Sequence, residues 1–424
     1  MGGPMIEILW IVLMVLIAIG MVYGMHDKRV STSKEDVPKG GIMSELVLDS
    51  DFLYEGKRIL FITKEGPCYG YGYSDTPCYS HSPSGLVNSS LFIVNMLKKH
   101  GVEAKLVGVV DNNDIDREVH KFKPDVVIIE AFWVVPEKFD ELIKLYPNVQ
   151  WVIRIHSDIP FLTQEGIAIG WIREYAKKPN IYIGFNKHKT MESFRHIVSR
   201  HKLVYLPNYY PVGHHSFPEK NDLKLVFHAG CFGAIRPLKN QLIQAFAAIK
   251  YADDHQYILH FHINATRVEG GGGVLKNLQS LFKHSKHKLV EHPWYTHEEF
   301  QKVLKGMDVS MCVSFSETFC IVAADSVSLG VPLVCSSEVS WADKGSMVPT
   351  TSVEDIADGI NTVVYYKACY QRLNKNGLKY HDDKSVKVWK EFLQTDLTVS
   401  KPTYTSMLDE IERINEATKN KEKL

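Results

Sequence analysis

Net charge is the first thing missing from this chain of 424 residues, because 49 Lys and Arg are balanced by 49 Asp and Glu. Without an overall field, nucleic acid and anionic membrane surfaces lose the most general force that would gather them, and no nucleic-acid partner is expected. Paired Cys-x-x-Cys motifs are also missing. Cysteines number seven, an odd count, which excludes a zinc ribbon and a complete disulfide framework and leaves buried free thiols in a reducing compartment. With 45% hydrophobic and 23% charged residues, the composition excludes wholesale disorder and a multi-span transporter. The length exceeds what one core comfortably serves and favours two domains.

One long uncharged run is present. Residues 8–25 read ILWIVLMVLIAIGMVYGM, and at about 1.5 Å rise per residue they nearly cross a hydrocarbon core of roughly 30 Å. The reading is a transmembrane helix in an N-terminal anchor over residues 1–25. A cleaved signal peptide competes with it, but the stretch lacks a basic n-region and an Ala-x-Ala-like site. Lys28, Arg29, Lys34 and Lys39 follow the span and no Lys or Arg precedes it, so the positive-inside rule places the large C-terminal part in the cytosol. A lumenal orientation would instead make Asn88 and Asn264 glycosylation acceptors and let Cys68 pair with Cys78. Residues 26–54 read as a tether.

Beyond the tether the pattern alternates. Residues 58–63 form a short apolar run, a Gly-rich loop follows, and an amphipathic helix spans 86–100. Strands at 104–110, 125–130 and 150–155, with a helix at 115–122, continue a first domain over residues 55–207. Residues 208–222 lose periodicity and read as a hinge, with His214 and His215 as surface residues. The alternation then restarts over residues 223–380, with strands at 223–229, 257–263, 288–291, 309–313 and 331–335. Helices are expected at 238–251, 274–282, 297–305, 321–329 and 353–368, and residues 381–424 hold C-terminal helices, including 386–393 and 407–417. Such alternation gives an α/β fold of two Rossmann-like domains, with parallel sheets whose carboxyl edges face a cleft.

Two constellations carry chemistry. Gly230-Cys-Phe-Gly-Ala-Ile-Arg-Pro-Leu-Lys-Asn240 ends a strand, turns at Gly230 and Gly233, and delivers Arg236 and Lys239 at the start of a helix. It is neither a Walker A nor a Gly-x-Gly-x-x-Gly loop, yet two cations beside free backbone N–H groups suit a diphosphate. The bland alternative makes them solvated first-turn charges. In Ser316-Glu-Thr-Phe-Cys-Ile-Val-Ala-Ala-Asp325, Glu317 precedes a helix and Asp325 lies inside its apolar run. A buried Asp325 needs hydrogen-bond donors such as ligand hydroxyls; an exposed-edge Asp325 and a helix-end Glu317 are the competing reading.

These residues, with Gly330-Val-Pro332, resemble the retaining GT-B glycosyltransferases of the group 1, family 4-like, E-x7-E type. The group includes sucrose synthases and bacterial lipopolysaccharide sugar transferases. The resemblance implies that Arg236 and Lys239 hold the donor diphosphate, that Glu317 contacts the transferred sugar, and that Asp325 binds the donor ribose. It also implies donor contacts from Gly233, Thr318, Phe319, Cys320 and Ile321, a cleft role for His156 toward the sugar or its developing charge, and an approach of the phosphate to Gly85. A lone His after a strand is otherwise a hydrogen-bonded structural residue. The chain departs from the pattern at three places: Asp325 replaces the second Glu, Cys320 a Gly, and Ala234 an Arg for which Arg236 substitutes.

The expected activity is transfer of a sugar, a hexose above all, from a nucleotide diphosphate sugar to a hydroxyl acceptor, with retention. No cofactor and no metal are expected, since the two cations serve the diphosphate and no convincing Asp-x-Asp pair follows a strand. Acceptors in view are a glycan, a lipid-linked hydroxyl or another membrane-proximal one. A catalytically degenerate nucleotide- or glycan-binding protein and a GT-B nucleotide-sugar epimerase are the alternatives. Trp294 is an aromatic that either packs beside a base or belongs to the core.

Overall fold

Strand β1 (Arg58–Lys64) holds Ile59, Leu60, Phe61 and Ile62 in succession, and none of them has exposed surface. An unbroken apolar run, rather than alternation, marks a strand covered on both faces. The computed structural model describes residues 56–64, 85–213 and 225–395. All belong to one compact unit, Phe52–Leu424. The apolar run 8–25, the Gly-rich loop with Cys68 and Cys78, the His214–His215 pair and residues 407–417 lie outside the described residues. Among the described residues no helix is long and apolar enough to cross a membrane.

Six strands build the first sheet: β1, β2 (Glu103–Val109), β3 (Val126–Glu130), β4 (Gln150–Ile155), β5 (Ile181–Phe185) and β6 (Leu203–Tyr205), in the order β2-β1-β3-β4-β5-β6. Every pairing is parallel. One face packs on an aromatic cluster in which Phe139 meets Trp151 and Tyr175 edge-on, at 5.6 Å in each case. Strands β5 and β6 and the helices Lys138–Leu145, Ala168–Lys177 and His188–Phe194 are absent from the sequence reading.

The second sheet contains β7 (Val226–Gly230), β8 (Ile258–Asn264), β9 (Lys288–His292), β10 (Val309–Cys312) and β11 (Leu333–Cys335), in the order β11-β10-β7-β8-β9. These pairings are parallel too. The helix Gln241–Asp254 lies close on this sheet because it presents Ala245, Ala247, Ala248 and Ala252, all without exposed surface. Small side chains permit close packing of backbone on backbone.

Two expectations need correction. The segment read as a polar hinge begins buried: Asn208 is 4% and Tyr210 2% exposed. It is stitched to the helix Lys367–Gln394, since Pro207 O accepts from Trp389 Nε1 at 2.9 Å, Asn208 O from Ser385 Oγ at 2.8 Å, and Tyr210 N–H donates to Asp382 Oδ1 at 3.0 Å. That helix is continuous through residue 380, where the sequence reading divides the domain from its C-terminal helices. Its Leu378 packs with the second domain and its Trp389, Phe392 and Leu393 with the first.

Candidate active site

Topology assembles the site. Strands β7, β8 and β9 step outward in one direction and β10 returns to the other side of β7. The loops after β7 and β10 therefore leave the carboxyl edge side by side, where an open parallel sheet binds ligands. The first loop carries Gly233, Arg236 and Lys239, and the second carries Glu317 and Thr318.

Lys239 Nζ donates to Glu317 Oε1, and the two side chains are 13% and 8% exposed. Burial opposes both charges, but each outweighs that cost for the other: Lys239 is held above its ordinary range and Glu317 below it, with Ser314 and Arg236 assisting the carboxylate. Gly233 has φ +113, and a Cβ there would come within 3.6 Å of Lys239 Cε, so the lysine lies over a bare backbone. The Gly233 N–H donates to Asn264 Oδ1 at 3.0 Å.

Arg236 and Lys239 do not open the following helix, contrary to the sequence reading. Arg236 precedes a 3-10 turn, Pro237–Lys239, which Lys239 closes, and Asn240, with φ 58, separates that turn from Gln241–Asp254. The turn throws Arg236 toward the first domain, where its guanidinium lies 4.6 Å from the Phe161 ring while Nη1 meets Glu269 Oε2 at 3.2 Å.

Asp325 has no exposed surface, which removes the exposed-edge reading. Its Oδ1 accepts from Tyr210 Oη at 2.6 Å, His297 Nε2 at 2.7 Å and Gln301 Nε2 at 3.1 Å, while Oδ2 has no hydrogen-bond partner. Burial disfavours a charged His297, but the hydrogen bond and charge of Asp325 override it and raise the imidazole above its ordinary value. Asp325 borders a cleft pocket together with Gly233, Asn264, Trp294, Ile321 and Gly85. Gly85 opens the first-domain helix Gly85–Lys99, and a Cβ on it would reach Ile321 Cδ1 at 3.7 Å. Trp294 thus borders the cavity, and the Arg267 guanidinium covers its ring at 4.7 Å.

The loop of the acidic motif is gripped from the first domain. Lys187 Nζ donates to Glu317 O at 2.8 Å, to Glu338 Oε2 at 2.6 Å and to Asp158 Oδ2 at 2.6 Å. Asn186 Nδ2 donates to Thr318 Oγ1 at 3.0 Å, and that hydroxyl donates to His156 O at 3.1 Å. Phe319 and Cys320, expected near the donor, bury their side chains in the core beneath the loop. Cys320 takes φ 64, the left-handed conformation that favours glycine, so the departure from the family pattern is a Cβ in a glycine geometry. A hydrogen bond with Cys312, together with burial, pushes its thiol up and leaves it unreactive.

His156 follows β4 and sits over a buried ion pair. Arg154 and Glu130 have no exposed surface and meet at 3.2 Å, and His156 Nε2 lies 2.5 Å from Glu130 Oε2. Burial lowers the His156 pKa more than Glu130 raises it, and the Arg154 charge adds to the lowering. Arg154 also donates to Asn208 Oδ1 at 2.5 Å and Leu206 O at 3.0 Å, joining this pair to the segment that leaves the domain.

The sequence reading missed Glu130, Asn186, Lys187, Tyr210 and His297. A signal existed for the first, because Arg154 interrupts the apolar run Trp151-Val-Ile-Arg-Ile155 and demands a buried counter-charge. Asn186 and Lys187 follow a strand whose apolar run had not been identified. The acceptors Asn88 and Asn264 are 8% and 4% exposed, so neither is open to glycosylation in the folded chain.

Residues 229–380 match the model of the family described as glycosyl transferases group 1. No curated protein matches the chain by sequence. Among solved structures, sucrose-phosphate synthase from Thermosynechococcus elongatus superposes with a TM-score of 0.58 at 12% identity, covering 81% of this chain and 100% of its own. An E. coli trehalose-6-phosphate protein bound with UDP-2-fluoro glucose gives 0.55 at 10% identity, covering 81% and 100%. Anabaena HepE in complex with UDP and glucose gives 0.52 at 11% identity, covering 80% and 99%. Likeness at this identity speaks for the fold, and the family match speaks for the second domain. The chain has the two-domain GT-B fold of these solved structures, and its second domain matches the glycosyl transferases group 1 family.

Proposed function

We propose that the chain moves a hexose from a nucleoside diphosphate sugar to a hydroxyl acceptor, with retention of anomeric configuration and without a divalent metal. The observation that carries this reading is the Lys239–Glu317 pair at the carboxyl edge of the second sheet, beside the buried Asp325. Lys239 and Arg236 neutralise the charge that grows on the departing diphosphate, and the freed Glu317 carboxylate faces the sugar as its ring turns cationic. The unpartnered Oδ2 of Asp325 accepts from a ribose hydroxyl, while Oδ1 stays fixed by three donors. His156, its Nε2 held by Glu130, turns its other ring nitrogen to the sugar from the opposite domain.

The UDP and UDP-sugar bound in the Anabaena and E. coli proteins support a uridine donor as the first to try. The apolar run 8–25 supports a membrane anchor with the catalytic part in the cytosol, and hence a lipid-linked or membrane-proximal acceptor. The test is product analysis by NMR with UDP-glucose and candidate hydroxyl acceptors. An α-linked product from the α-donor, formed at the same rate without added magnesium or manganese, is expected. A β-linked product overturns retention, and dependence on either ion overturns the cationic mechanism.

A further inference from the structure

A row of imidazoles crosses the second sheet away from the residues assigned above. His228 on β7 is the register partner of His260 on β8, and His262, two positions later, shares the same face. On β9, His292 pairs in register with Asn264, which extends the row on that face. One ring nitrogen from each of His228, His260 and His262 lies within 4.8 Å of the other two. His228 Nδ1 is 3.0 Å from His262 Nε2, and His262 Nδ1 is 2.8 Å from His292 Nε2. The His292 Nδ1 lies 3.3 Å from Tyr295 Oη, and Tyr295 borders the cleft cavity.

We propose that His228, His260 and His262 bind a divalent transition metal ion of the zinc class through three imidazole nitrogens, with water completing the coordination. A tetrahedral ion bound at about 2.0–2.1 Å sets its ligand nitrogens roughly 3.3–3.4 Å apart. The His228–His262 separation of 3.0 Å is already close to that, so the ion takes the place of the proton the two rings share. His262 keeps its Nδ1 proton and donates it to His292, which fixes the ligating ring from behind. His228 carries its proton on Nε2 instead of Nδ1, so no proton need be lost when both rings start neutral. Three imidazoles select zinc, copper or nickel over magnesium, which prefers oxygen ligands. The ion joins β7 to β8 beneath Gly230 and Asn264, the residues that lead into and hold the Gly233 turn. It is a support for the donor-binding loop, separate from the diphosphate, and it does not depend on the reaction proposed above.

The experiment uses the untagged full chain in detergent, stripped with a chelator and dialysed against zinc or magnesium. Elemental analysis after gel filtration should find one zinc and no magnesium per chain, and zinc should raise the melting temperature. In His260→Ala and in the His228→Ala/His260→Ala pair, zinc retention and the zinc-induced rise should be lost, while circular dichroism matches the metal-free parent. Cobalt should give the intense visible absorption of tetrahedral coordination in the parent alone. No zinc on the parent, equal retention of magnesium, or unchanged zinc stoichiometry in a folded variant overturns the site.

Discussion

Lys239 and Glu317 are ion-paired across the gap between the loops after β7 and β10, although 78 positions separate them in the chain. The pair keeps Glu317 ionised in a place where burial alone would protonate it. Because its folded pKa is depressed, the stability it contributes is present above the unfolded value of 4.5 and is lost as pH falls through the folded one. On the proposed function, an arriving diphosphate competes with Glu317 for the ammonium, so binding of the leaving group and release of the carboxylate are one event.

Replacing Lys239 with Ala removes that coupling. Loss of one preorganised donor costs about 2.7–4 kcal/mol in the transition state, a fall in turnover of roughly a hundredfold or more. Steady-state kinetics of K239A beside K239R will read it. The arginine variant should recover part of the rate, and a K239A turnover within a few-fold of the parent would remove Lys239 from the mechanism.

Asp325→Asn tests the other acidic position differently. The amide oxygen can still accept from Tyr210, His297 and Gln301, but an NH2 then stands where Oδ2 offers a lone pair to the ligand. Donor KM should rise by tenfold or more with a smaller change in kcat, as expected for lost ground-state binding. An unchanged KM would mean that Oδ2 never meets the donor.

Lys187 predicts a conformational effect. Its ammonium binds Asp158 of its own domain, and Glu338 and the Glu317 carbonyl of the other. Its pKa is raised, since these partners outweigh burial, so the clamp persists across neutral pH. Lys187→Met should loosen domain closure and give a larger radius of gyration by X-ray scattering than the parent without ligand. Equal radii would show that the clamp does not set the closure.

Much of this was legible in the residues and some was not. Arg236 and Lys239 stood out as two cations after a glycine turn, Glu317 by its place before a helix, and Asp325 because a charge inside an apolar run needs partners; topology brings Lys239 and Glu317 together. The partners themselves were harder to see. His297 begins a helix on the surface pattern, and Tyr210 sits in a Pro- and Asn-rich stretch that reads as a solvated hinge. The return of the helix Lys367–Gln394 helps bury that stretch, through contacts such as Trp389 to Pro207, 182 positions apart. Strand β6 is three residues long, too short for periodicity to register. The glycine geometry of Cys320 was visible only as a departure from a family pattern, since a single residue carries no sign of its own φ.

Asp382 gives a prediction about pH. Burial, with Asp383 adding to it, lifts its pKa from 3.8 to about 8, against the Tyr210 N–H that favours the charged form. A carboxyl raised on folding binds its proton more tightly in the native state, so stability falls as pH climbs from about 4 toward about 8. Asp382→Asn keeps an acceptor for Tyr210 and removes the titration. Its melting temperature should match the parent near pH 4 and exceed it by several degrees at pH 8, each pKa unit being about 1.4 kcal/mol. A gain that does not grow with pH would show that Asp382 ionises freely.

The most direct test of the whole account is donor binding, measured as thermal stabilisation of the full chain by UDP and UDP-hexoses, with GDP, ADP and CMP beside them. Ligand at a hundred times its dissociation constant should add about 2.7 kcal/mol. The account predicts stabilisation by one nucleotide family and its loss in the Arg236→Ala/Lys239→Ala variant. Stabilisation that survives in that variant, or none from any nucleotide, would contradict it.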